Sequence, residues 1–165
     1  MQSNIAIKYG IGTGVGVVAY FLFFYLVSVR LFFNPFVAWG VLVVYLLGMA
    51  LACRKQRKAQ GDFPFQMALR TAFLTFTIAS ISYYTFIYLL YNVLDTELVE
   101  SQKEILFEQM TAMAKRFELS DLKGQIQDFS NRDFSITVRN SLMALAQSLI
   151  GGFVLSLGIA AVMRR

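Results

Sequence analysis

The 165-residue chain carries 15 Lys and Arg against 10 Asp and Glu, a net charge of +5, and 57% of its residues are hydrophobic. That balance, with a mean hydropathy of +0.57, excludes an ordinary soluble domain. The absence of histidine and the presence of a single cysteine, Cys53, remove the Ser-His-Asp triad, histidine-bound zinc or haem and any intrachain disulfide.

Charge is distributed very unevenly. Nine of the ten acidic residues fall within the 45 residues from Val93 to Thr137, while four runs carry no charge at all: Tyr9 to Val29, Leu31 to Cys53, Thr71 to Leu94 and Asn140 to Met163. Each is at least as long as the roughly 20 residues an α-helix needs to cross about 30 Å of hydrocarbon. A backbone in lipid must satisfy its own polar groups, which runs of this length do as helices, whereas barrel strands are about half as long and alternate. The expected fold is all-α, a single polytopic membrane domain over residues 1–165. Transmembrane helices are expected at about 6–29, 35–53, 67–94 and 138–163, with a cytoplasmic basic loop at 54–66 and an extracytoplasmic amphipathic helical segment at 95–134.

The first span follows Met1 to Lys8 and has the outline of a signal peptide. Its apolar part of 21 residues exceeds the usual core of about 7–15, so a retained span is expected. Gly10, Gly12, Gly14 and Gly16 form two overlapping GxxxG pairs, which in a membrane let a second helix approach closely. They do not read as a phosphate loop, because no preceding strand or βαβ unit exists. Gly40, Gly48 and Ala52 suggest a shorter packing face in the second span, and Cys53, at that span's end, is too far from the N-terminus to read as a lipidation site.

After the second span come Arg54, Lys55, Arg57, Lys58 and Arg70 against Asp62 alone. With Lys8, Arg164 and Arg165, an even number of spans places eight cations on one side, against seven on the other. The dense run Arg54 to Lys58 abuts a membrane end, so both termini are expected in the cytoplasm and the acidic segment outside. The third span is rich in hydroxyls, from Thr71 and Thr75 through Ser80, Tyr83 and Tyr84 to Tyr88 and Tyr91. Interfacial tyrosine anchors and interhelical hydrogen bonds explain these; a hydroxyl-lined solute path is the alternative.

Between the third and fourth spans the pattern becomes amphipathic. Asp95 suits an N-cap with Glu97 in the first turn, and a helix is expected to about Phe117. On its wheel Val99, Leu106, Met110, Met113 and Phe117 form a candidate partner face, opposite an acidic stripe of Glu97, Glu100, Glu104 and Glu108. The stripe reads as solvated; a helix lying on the membrane, or a site for a divalent cation or basic partner, are the competing readings. A short helix capped by Ser120 or Asp121 should follow, and the last helix should begin near Phe134 with Arg139 at the interface. In that last span Ala144, Ser148, Gly152, Ser156 and Ala160 recur every four residues, a gently winding groove able to receive a helix of this chain, of a second copy or of another protein.

Several short motifs carry a resemblance. Lys8-Tyr9-Gly10, with glycines continuing into the first span, is one; Gly61-Asp62-Phe63-Pro64-Phe65, followed by Ala68 and Ala72-Phe73, is another. Tyr91-Asn92-Val93-Leu94-Asp95 before the acidic helix and the closing glycine-bearing span with its basic end complete the set. Together they resemble the bacterial family of unknown function DUF4199, found mainly in Bacteroidetes, over nearly the whole chain. Thr96 and Pro64 stand where its members often have Pro and Ser. The resemblance implies a small four-span inner-membrane protein; it brings no assigned activity and no site residues.

No nucleophile, base and orienting group can be assembled, so the chain is not expected to be an enzyme or to need a cofactor or metal. Its excess positive charge sits beside spans, which argues for topology rather than nucleic-acid binding. Expected partners are the lipid bilayer and either a second copy or another membrane protein. A structural or accessory subunit, acting through helix packing and the amphipathic helix, is the expected function. The alternative is a small oligomeric transporter or channel for a small solute, against which stand the absence of charge within the spans and of a broken helix or inverted repeat.

Overall fold

The computed structural model describes residues 2–116 and 136–163, and among these every regular element is helical. Helix α1 (Gln2–Val27) is followed by the single turn α2 (Val29–Phe32), α3 (Pro35–Gln60) and α4 (Phe65–Leu89), which runs on as one wider π turn, Leu90–Leu94. Helix α5 (Leu98–Arg116) and helix α6 (Val138–Met163) complete the described chain. Helices α1, α3, α6 and α4 with its π turn are long and apolar enough to cross a membrane.

Local chemistry explains where these helices stop. Ser28 is extended, at φ −168° and ψ 131°, and breaks α1 from α2. Helix α3 begins at an Asn-Pro pair: the Asn34 side chain accepts the Phe36 N–H at 2.9 Å, and Pro35 fills the first helical position, where no donor is required. At its far end Gly61 adopts φ +76°, a left-handed conformation that costs glycine nothing, and its N–H bonds back to the Arg57 carbonyl. Thr137 caps α6, its hydroxyl accepting the Asn140 N–H at 3.2 Å.

Two element bounds differ from expectation. The basic segment expected as a loop at 54–66 is mostly helix: α3 continues to Gln60, so Arg54, Lys55, Arg57 and Lys58 ride on its last turns, and only Gly61 to Pro64 make the reversal. Strong helix formers with no apolar demand extend the helix beyond the hydrocarbon. Within the reversal Phe63 is completely buried and plugs that end of the bundle. Helix α5, in turn, starts at Leu98, because the π turn takes the chain to Leu94 and the Asp95 N–H closes it on the Leu90 carbonyl at 2.8 Å. The short helix expected from Ser120 or Asp121, and Phe134, lie outside the described residues.

Helix α4 is the centre of the bundle and packs on α1, α3 and α6. Helices α1 and α6 each touch both α3 and α4, so they flank that central pair. Val17, Phe21, Met49, Phe76 and Ala79 fill the space between them. Lys8, the cations of α3 and Arg70 all lie at one end of the helices, and α5 leaves from the other.

Candidate functional site

Glycine and small side chains set the closest helix approaches. A Cβ at Gly10 would stand 2.8 Å from Ile78 Cβ, and one at Gly14 would stand 2.8 Å from Ser82 Cβ and 3.3 Å from the Ala79 backbone. These two glycines therefore let α1 lie directly on α4. The second pair is different: nothing lies within 4 Å of a Cβ built on Gly12, and Gly16 meets only Val44 at an ordinary 3.6 Å. On α3, Gly48 receives the Thr13 side chain and Gly40 the Tyr20 hydroxyl, which donates to the Val37 carbonyl at 3.0 Å.

Along α6 the ladder divides in depth. Gly152, Ser156 and Ala160 are buried, while Ala144 and Ser148 are half-buried. The Phe76 ring of α4 occupies the place a side chain at Gly152 would need. Ser156 donates to the Gly152 carbonyl at 2.7 Å and lies 3.7 Å from the Met49 sulfur of α3. The occupants of the groove are thus α3 and α4 of the same chain. Hydroxyls buried nearby bond mostly to their own helices: Thr75 donates to the Thr71 carbonyl at 2.8 Å and reaches Ala6 O of α1 at 3.4 Å, and Thr77 and Ser82 donate one turn back.

At the opposite end from the cations, three polar links fix α5. Tyr25 of α1 donates to the Asp95 carboxylate at 2.8 Å, Tyr91 donates to Gln102 Oε1 at 2.9 Å, and Arg30 of α2 pairs with Glu108 at 3.1 Å. Asp95 was expected to cap α5; its side chain instead accepts from Tyr25 across the bundle. The side of α5 held to the bundle is not its candidate partner face. Leu98 is fully buried and Gln102 bonds inward, so the contact face is centred about 70° away from the Val99, Leu106, Met110 and Met113 stripe at 100° per residue.

On the candidate partner face Val99, Leu106 and Met110 are partly buried and Met113 is 59% exposed, and Phe107, on the acidic side beside Glu100, is also exposed. Phe117, assigned to the candidate partner face, lies outside the described residues. The stripe Glu97, Glu100, Glu104 and Glu108 is exposed throughout. Among the described residues no three acidic or cysteine side chains converge as a metal site would need.

The model for a family described as a protein of unknown function, DUF4199, matches residues 8–165. The chain belongs to the DUF4199 family. No curated protein and no solved structure matches it. The motifs through which the sequence resembles DUF4199 are places where this fold turns or closes: Gly10 lies against α4, Gly61 to Pro64 reverse the chain around buried Phe63, and Tyr91 to Asp95 form the π turn and its exit to α5. In this DUF4199 protein, sequence reasoning missed Leu98, Tyr25 and Gln102, which hold α5. Leu98 was legible only as one apolar residue off the main stripe, and nothing local links Tyr25 to Asp95, 70 residues away.

Proposed function

We propose that this DUF4199 protein is a structural or accessory membrane subunit, not an enzyme, and that α5 is its contact element. The observation that carries this reading is the way α5 is held: pinned by Tyr25, Arg30 and Gln102, it presents exposed Phe107 and Met113 beside four exposed glutamates. A positioned helix with exposed apolar side chains and an acidic stripe suits a partner that offers apolar contacts among Lys or Arg. The lack of any charged residue in the four apolar runs favours this reading over transport of an ion or charged solute. Cations clustered at the end away from α5 support both termini in the cytoplasm of a bacterial inner membrane, with α5 on the outer side.

The test is gentle extraction at native expression level after in-cell crosslinking from position 113, followed by mass spectrometry. A reproducible membrane-protein partner, lost when Phe107 and Met113 are both replaced by Glu in a chain that still inserts, is the expected result. Recovery of the same partners by that variant, or of none by the natural chain, sinks the reading.

A further inference from the structure

A cleft of about 520 Å³ lies between α3, α4 and α6, and its walls include Tyr45, Phe76, Ser80, Tyr83, Tyr84 and Ser148. This is within the range of small-molecule sites, about 300–1,000 Å³. Its mouth passes Gly151 and Val154, both exposed on the outer surface of the bundle, where lipid would stand. The cleft is remote from α5, and its occupancy does not depend on the accessory reading.

Ser80 decides the chemistry. It is 1% exposed, and its Oγ faces the Tyr45 hydroxyl of α3 without closing a short hydrogen bond, whereas Thr75, Thr77 and Ser82 on the same helix each donate to the carbonyl four residues back. Buried polar atoms are nearly always paired, and two hydroxyls facing each other still leave one O–H over, so this pair in a cleft marks a place for an external acceptor. Aromatic rings form its walls: Tyr45 and Phe76 have ring centroids 4.8 Å apart and planes 41° apart, and Tyr83 and Tyr84 meet edge to face at 5.1 Å. No charged side chain lines the cleft, so the ligand it suits is neutral.

Depth narrows the class. Ser80 lies midway along the 30-residue span Phe65–Leu94, about 21 Å from either end at 1.5 Å per residue. Tyr45 and Ser148 are each ten residues into 26-residue helices, about 15 Å from the end that bears α5. With hydrocarbon about 30 Å thick, these hydroxyls sit roughly 10 Å or more below its boundary, where the ester carbonyls of diacyl lipids do not reach. A flat ring bearing carbonyl oxygens, dissolved in the bilayer by an alkyl tail, meets all three conditions.

We propose that the cleft binds a membrane-dissolved quinone-type molecule, with one ring carbonyl accepting from Ser80, the ring between the aromatic walls and the tail leaving past Gly151. The test uses the full chain in nanodiscs of phosphatidylethanolamine and phosphatidylglycerol, titrated with a radiolabelled decyl-substituted benzoquinone. Saturable binding of one molecule per chain is expected, with decylbenzene, which lacks the carbonyls, a poor competitor. Ser80→Ala should weaken binding about tenfold, as loss of one buried hydrogen bond implies. Gly151→Leu should abolish it without lowering the melting temperature, since nothing lies within 4 Å of a Cβ at that position. Linear partitioning without saturation, equal competition by decylbenzene, or unchanged binding in Gly151→Leu overturns the proposal. So does native mass spectrometry showing a phospholipid that the quinone does not displace and that Gly151→Leu releases, because the cleft would then belong to bilayer lipid.

Discussion

Helix α6 joins the bundle through residues almost without side chains, whereas α5 is tied to one end of it by Gln102, one deeply buried leucine and tyrosines of the neighbouring elements. The difference follows from the solvent each helix suits. Lipid tails are as apolar as leucine, so helices in hydrocarbon gain little by burying large apolar groups and associate through close packing, which Gly152 allows by admitting the Phe76 ring. Helix α5 carries three exposed glutamates, with Glu97 just before it, and so suits water, where burying Leu98 is itself favourable; the half-buried Asp95 carboxylate takes its donor from Tyr25.

Substitutions can break this contrast in order of size. Gly152→Leu should be the most damaging, by about 3 kcal/mol, because a side chain there must displace the Phe76 ring. Loss of folded protein in detergent, partly restored by the second change Phe76→Ala, is the expected result; unchanged melting would remove the α4–α6 seam from the account. Leu98→Ala should cost about 2–3 kcal/mol, confined to α5. Limited proteolysis should then cut within α5 while the bundle's melting temperature stays put; if both fall together, α5 is integral to the bundle.

Gly14→Leu should cost about 2 kcal/mol against the Ser82 and Ala79 atoms it would meet, while Gly12→Leu should leave thermal stability unchanged. Equal effects at the two positions would mean that α1 packs differently from this description. Tyr25→Phe removes a hydrogen bond to a carboxylate and should loosen α5 by about 1.5 kcal/mol, read as faster amide exchange in its first turns. Smallest of all, Arg30→Ala breaks an exposed ion pair worth about 0.5 kcal/mol or less, so a shift in α5 exchange should be visible only at low salt.

The glycine motifs illustrate how far local pattern reaches. Four glycines in alternation give two equivalent pairs on paper, yet Gly10 and Gly14 face α4 while Gly12 meets open space. A helix wheel shows that the pairs point in different directions; only the position of α4 says which direction is occupied. The acidic helix repeats the lesson. Its stripe of glutamates was readable and is exposed, but the wheel's broadest apolar face is not the side held to the bundle: Leu98 is the buried residue, and Gln102 accepts from Tyr91, eleven positions back. The cleft was legible only in pieces: Ser80, Tyr83 and Tyr84 stood out as hydroxyls of one span and Ser148 in the four-residue ladder, but nothing in the sequence brings them together with Tyr45.

Sequence by itself determined that the chain is helical, that four helices are long and apolar enough to span a membrane, and that an acidic amphipathic helix stands apart from them. Those conclusions rest on length, hydropathy and charge, which act residue by residue. Tertiary structure alone decided which small residues touch, that Asp95 answers Tyr25 instead of capping α5, and that the Ser80 and Tyr45 hydroxyls meet in one cleft. Each of these depends on the rotation and neighbours of whole helices, and apolar sequence in lipid constrains rotation only weakly because every face is compatible with the solvent.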